Sequence, residues 1–166
     1  MLKQVERWFP VAVSVFGSAV FLDRLRYKFT DHPNTQVIFS ALDGWAATHG
    51  LAGLFSHTGL FSQYTIGTAE LVASALLLLG LAPGLRRLQV IGAAVGFAVM
   101  SGAVNFHLWT PLGIDPNKDG GGLFMAAVTL WVLTAALLVL RRKDLSALIS
   151  DLVRAVVPAK PVALAA

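Results

Sequence analysis

Cysteine is missing from this chain altogether. Its absence excludes disulfides, thiolate metal sites, iron–sulfur ligation and any persulfide carried on the chain itself. Redox chemistry involving the protein would therefore need a bound molecule or a partner. Charge is also scarce: 13% of residues are Asp, Glu, Lys or Arg, against roughly 25% in soluble domains. Hydrophobic residues make up 56% of the chain and mean hydropathy is +0.70, more apolar surface than a soluble domain of this length could bury. A net charge of +4 and a pI of about 9.9 would suggest nucleic acid for a soluble protein. Here the basic residues sit at the ends of apolar runs, where they orient membrane proteins, so nucleic acid is not an expected partner and membrane lipid is.

What the chain has in quantity is apolar sequence of spanning length. A span needs about 20 residues, and 166 residues leave room for four with their connections. The first carries Lys3 and Arg7, then Trp8 and Phe9 at an interface, Pro10 in a first helical turn and the apolar run Val11 to Leu22. No small-x-small cleavage site follows cleanly, so an anchor is expected rather than a removed signal. That helix should continue through Tyr27, with Asp23 and Arg26 sharing one face at i and i+3. Asp31-His32-Pro33-Asn34 breaks it. Thr35 to His49 then has helical, one-sided spacing but is too short to span, and an interfacial helix is expected there.

The remaining spans are expected at Ser62 to Ala82, Leu88 to Trp109 and Leu123 to Leu140. Pro83-Gly84 makes a tight turn between the second and third, and the Gly- and Asp-rich stretch Thr110 to Gly122 forms a loop before the fourth. Gly92 and Gly96 form a small-residue stripe that lets a neighbouring backbone approach, and are candidate partner contacts. Leu145, Leu148, Ile149 and Leu152 lead an amphipathic stripe that runs through Val156 to Pro158, a second candidate partner surface. The expected fold is thus all-α: an integral membrane four-helix bundle over residues 1–143, with an interfacial helix in its first outer loop. Residues 144–166 form an amphipathic cytoplasmic helix and a tail.

Nine basic residues (Lys3, Arg7, Arg86, Arg87, Arg141, Arg142, Lys143, Arg154, Lys160) fall on one side of that topology and four (Arg24, Arg26, Lys28, Lys118) on the other. The positive-inside rule puts both termini in the cytoplasm, in what is expected to be a bacterial cytoplasmic (inner) membrane. At a rise of about 1.5 Å per residue, Asp23, Arg26, Glu70, Asn105, His107 and Asp119 all fall in the outer half of the bilayer. Glu70 is the deepest, roughly 10 Å below the surface. A charge facing lipid costs about 2.5–3.5 kcal/mol even on lenient scales. The expectation is therefore an outward-facing polar pocket with Glu70 at its floor, Arg26, Lys28 or His107 as its partner, and the helix Thr35 to His49 as a lid.

Four short runs occur in an order that resembles the DoxX-like family: Tyr27-Lys28-Phe29, Ile66-Gly67-Thr68-Ala69-Glu70-Leu71, Phe106-His107-Leu108, and Asp119-Gly120-Gly121-Gly122-Leu123-Phe124. The resemblance extends from about residue 10 to residue 140. It implies a four-helix membrane bundle with a polar site near Lys28, Glu70 and His107, and an association with quinone-linked redox complexes. The amphipathic C-terminal helix departs from a compact member of that family and points to a partner.

Two functions follow. In the first, the chain is a small accessory subunit of a larger membrane complex, redox-associated and not catalytic alone, packing through its small-residue faces and C-terminal helix. In the second, it is a quinone-linked oxidoreductase subunit that binds a small lipophilic molecule around Glu70, with His107, Lys28, Arg26, Asp23 and Asn105 as ligand-binding or proton-handling candidates. Glu70 serves the first equally well as half of a structural ion pair. No catalytic residue and no metal site is expected. Haem would need a second histidine within a span, and His32, His49 and His57 all lie in the first loop. Asp115 to Gly120 lacks the alternating ligands and closing Glu of a calcium loop, and Asp119 is expected to cap the fourth span. Gly120 to Gly122 lack the lysine and hydroxyl of a phosphate loop.

Overall fold

A computed structural model describes residues 2–157. Lys160 and the tail Pro161 to Ala166 lie outside the described residues, as does Pro158. Six helices account for most of the described chain, and no strand occurs among the described residues: α1 (Leu2–Phe29), α2 (Pro33–Thr48), α3 (Gln63–Leu79), α4 (Arg86–Trp109), α5 (Gly122–Leu140) and α6 (Arg142–Val156). Three of them, α1 from Glu6, α4 and α5, are long and apolar enough to cross a membrane. α3 is as apolar but has 17 residues, about 25 Å against a hydrocarbon thickness of about 30 Å.

The short α3 differs from the expected span Ser62 to Ala82, and both ends have local causes. Ser62 caps it, its hydroxyl accepting from the Thr65 amide at 3.2 Å. After Leu79 the amides of Leu81 and Ala82 turn to carbonyls three residues back, so the helix tightens and stops where Gly80 lies against the backbone of Gln89. Pro10 also departs from expectation. It sits inside α1 rather than in its first turn, and its carbonyl accepts a hydrogen bond from the buried Gln89 side-chain amide. α2 starts two residues early because Pro33 occupies its first turn, where a missing N–H costs nothing, and the His32 ring accepts from the Asn34 amide.

α1 packs on α3, α3 on α4, α4 on α5, and α5 back on α1. Val13, Phe21, Ala73, Leu77, Met100, Leu130 and Leu137 fill the space between them. Small hydroxyls bridge the helices where polar groups are buried: Ser18 donates to the Ser74 carbonyl at 3.2 Å, and Gln89 donates to the Ser14 hydroxyl at 2.9 Å. A second cluster of Leu42, Ala46, Phe55 and Leu112 holds α2 and the two long loops over one end of the helices.

Gly92 and Gly96 face inward, which corrects the expectation that they meet a partner. A Cβ on Gly92 would stand 2.7 Å from the Leu77 amide nitrogen and 2.9 Å from the Ala73 carbonyl oxygen, and one on Gly96 would touch the Phe21 ring at 3.3 Å. The neighbouring backbone admitted at Gly92 is the chain's own α3, whereas Gly96 makes room for the Phe21 ring of α1. The C-terminal stripe is divided as well. Leu145 and Leu148 are half-buried where α6 lies along α4 and α5, while Ile149 and Leu152 are exposed. Arg86–Asp144 at 3.1 Å and Arg87–Asp151 at 2.8 Å tie α6 to the start of α4. Exposed pairs contribute only about 0.2–1 kcal/mol, so Asp151→Asn is expected to lower stability by less than about 1 kcal/mol, read as a small shift of the thermal midpoint in detergent.

Candidate ligand cavity

Lys28 ends α1 and Glu70 lies two turns into α3. The two helices meet because α3 has no side chain at Gly67, one turn before Glu70: a Cβ there would press on the Phe29 ring at 3.2 Å and on the Lys28 stem at 3.4 Å. With that approach the Lys28 Nζ reaches both Glu70 oxygens, at 2.8 and 3.0 Å. The Glu70 side chain is 5% exposed and that of Lys28 15%, so each is withdrawn from water and satisfied by the other. Gln63 braces the pair, since its buried amide donates to the Lys28 carbonyl at 2.8 Å while its oxygen accepts from Gln36 of α2.

The pair stands on the wall of a cavity of about 820 Å³, within the 300–1,000 Å³ usual for small-molecule sites. Its deep part is apolar, with Phe21, Met100 and Leu130 among its lining. Arg24, Tyr27, Asn34, Asn117 and Asp119 add polar groups to its lining, and Thr35, Ile38, Phe39 and Leu42 of α2 also line it. Glu70 is therefore not the floor. Val95 also lines the cavity, and it lies fourteen residues in from the end of α4 at Trp109, about 21 Å. Glu70 is only about 10 Å from the corresponding end of α3.

His107 is buried and also lines the cavity, and its Nδ1 meets the Gly113 carbonyl. Since a carbonyl only accepts, Nδ1 carries a proton, and in the neutral ring Nε2 is left as an acceptor. Its edge rests on Phe124. Asp119 accepts from the amides of Gly121 at 3.1 Å and Leu123 at 3.0 Å, closing the first turn of α5. Asp115 orders the same loop by accepting from the Asp119 amide at 2.7 Å. Desolvation opposes its charge, but the amides of Gly121, Asp119 and Gly120 prevail and hold the carboxyl below its usual range.

Three candidates lie elsewhere. Asp23 and Arg26 pair with each other at 3.1 Å on the exposed face of α1, where the Arg26 guanidinium covers the Tyr27 ring. Asn105 is exposed and donates to the Ser101 carbonyl of its own helix. Conversely, Arg24 and Gln63 belong to the site and were not singled out from sequence. Arg24 had a usable signal, because it precedes Lys28 by one helical turn and so shares its face. Gln63 had none. Among the described residues no three metal-ligating side chains converge.

Comparison with protein-family models, curated proteins and solved structures finds no match for the chain. Fold and site together define an all-helical protein, with three helices apolar enough to cross a membrane and a deep cavity whose wall carries a buried ion pair.

Proposed function

We propose that the protein is a DoxX-like four-helix bundle of the bacterial cytoplasmic membrane, with α3 as the fourth span. It holds a quinone-like lipophilic molecule in an outward-facing cavity, as a subunit of a redox-associated membrane complex. The observation that carries this reading is the buried Lys28–Glu70 pair on the wall of an otherwise apolar cavity. Lys28 has three N–H donors and spends two on Glu70, which leaves one for a carbonyl oxygen. His107, which lines the same cavity, supplies an acceptor at Nε2. An apolar ring with carbonyl or hydroxyl groups on its rim satisfies both and brings no net charge to be desolvated. The nine-to-four division of basic residues supports cytoplasmic termini. The subunit role draws on α6, which leaves Ile149, Leu152, Val153 and Val156 exposed.

Binding of a radiolabelled short-chain 1,4-benzoquinone to the protein in nanodiscs tests the ligand. Saturable binding of one molecule per chain is expected. Ala103→Trp, which fills the cavity from α4, is expected to weaken it at least about tenfold, equivalent to about 1.4 kcal/mol. Absence of binding by the unaltered chain, or equal binding by the variant, would refute the reading.

A further inference from the structure

α3 and α4 part company along one stripe. On α3 the positions facing α4 recur at Ile66, Ala69, Ala73, Leu76 or Leu77, and Gly80, the spacing of a single helix face. The last of these touch α4: Gly80 lies on Gln89, and Ala73, Leu76 and Leu77 lie on Gly92. The first two line the cavity. Across from them, Val95, Ala98, Val99 and Gly102 of α4 also line the cavity. These residues fall on the side of α4 turned away from α5, since its α5-facing side is marked by Phe97 stacked on Trp131 and by Ser101 bonded to the same indole. The two helices thus form a V, pinned by glycines at its apex and open toward the end covered by α2.

The V leads out of the molecule. Phe61, Thr65 and Ala98 line the cavity and are exposed, so the cavity reaches the outer surface between α3 and α4. The wall there is hydrocarbon apart from one hydroxyl. Ala98 lies eleven residues in from Trp109, about 17 Å, so the slot runs the depth of about one leaflet of a 30 Å core. Arg24, Asn34, Asn117 and Asp119 line the same cavity.

We infer that the slot between α3 and α4 is a lateral opening to the outer leaflet, and that the ligand is a tailed amphiphile. Its carbonyl-bearing head lodges by Lys28 and His107, and its hydrocarbon tail lies in the slot between Ala69 and Ala98. The inference rests on the ligand reading above and adds to it the route and the tail. A head group without a tail fills the inner cavity only, whereas a tail threaded through the slot removes further apolar surface from competition with lipid at no polar cost.

Two probes with the same 1,4-benzoquinone head, one without a tail and one with a long unbranched tail, separate the ideas in nanodiscs. Ala98→Trp, which plugs the slot from an exposed position, is expected to weaken the tailed probe at least about tenfold and to leave the short probe within about twofold. Equal effects on both probes, or no effect on either, would overturn the slot and leave the cavity reading standing. Failure of the unaltered chain to bind either probe would overturn both. Because the chain contains no cysteine, Ala98→Cys provides a second readout that does not depend on tolerating tryptophan. Its alkylation by a maleimide is expected to slow when the tailed probe is bound and to be indifferent to the short one. Identical alkylation rates under both conditions would count against the slot.

Discussion

Replacing Lys28 by methionine is expected to cost about 3–5 kcal/mol of stability, the penalty for stranding one partner of a buried ion pair. The methionine keeps much of the lysine stem's volume, so packing against Gly67 and Phe29 survives. What is lost is, among the described residues, the only cation bonded to Glu70, whose side chain is 5% exposed. The double variant Lys28→Met/Glu70→Leu removes the charge as well as its partner. It is expected to recover most of the loss, because a well-packed apolar pair is often as stable as the ion pair it replaces. Unfolding followed in detergent for the two single variants and the double one gives the coupling directly. A loss below about 1 kcal/mol for Lys28→Met would place the pair in water rather than in the wall of the bundle.

The second large effect is at Gly92. Leucine there must displace the α3 backbone, since the first added carbon would already stand 2.7 Å from the Leu77 nitrogen. Overpacking of this kind costs about 1–3 kcal/mol and occasionally more, and a cost near the upper end is expected because the obstacle is backbone rather than a flexible side chain. Gly44 in α2 is the control: nothing lies within 4 Å of a Cβ placed there, and Gly44→Ala should stabilise by up to about 1 kcal/mol through helix propensity. The measurement is made on the purified chain alone. A role for Gly92 in holding a partner would leave the isolated chain's stability unchanged, whereas its position inside the α3–α4 contact predicts the loss.

These two residues also show what sequence could and could not convey. α4 and α5 were legible almost to the residue, because a predominantly apolar stretch of spanning length, bounded by Arg86 and Trp109 or by Gly122 and Leu140, admits one reading. The apolar run of α3 outlasts its helix, because nothing at Gly80 in the sequence announces the contact with Gln89 at which the helix stops. At Gly92 and Gly96 the small-residue stripe announced a close approach without naming what approaches. On α1 the i,i+3 spacing places Asp23 and Arg26 on one face, but local spacing carries no information on which helix face turns inward, and Arg26 pairs with Asp23 on the outside rather than with Glu70. The face that turns inward carries Arg24 and Lys28. The cavity was the least legible feature of all, since it arises from two helices diverging, and divergence is a property of contacts absent from the stripe at Ile66 and Ala69.

Either the cavity is a place for a lipophilic molecule or it is a packing defect beneath α2. Native mass spectrometry of the chain released from its own membranes tests the first most directly, with Ala103→Trp prepared in parallel. The unaltered chain is expected to carry a single small apolar adduct that the variant lacks, at equal thermal stability. A bare chain in both preparations, or the same adduct retained by the filled variant, would contradict it.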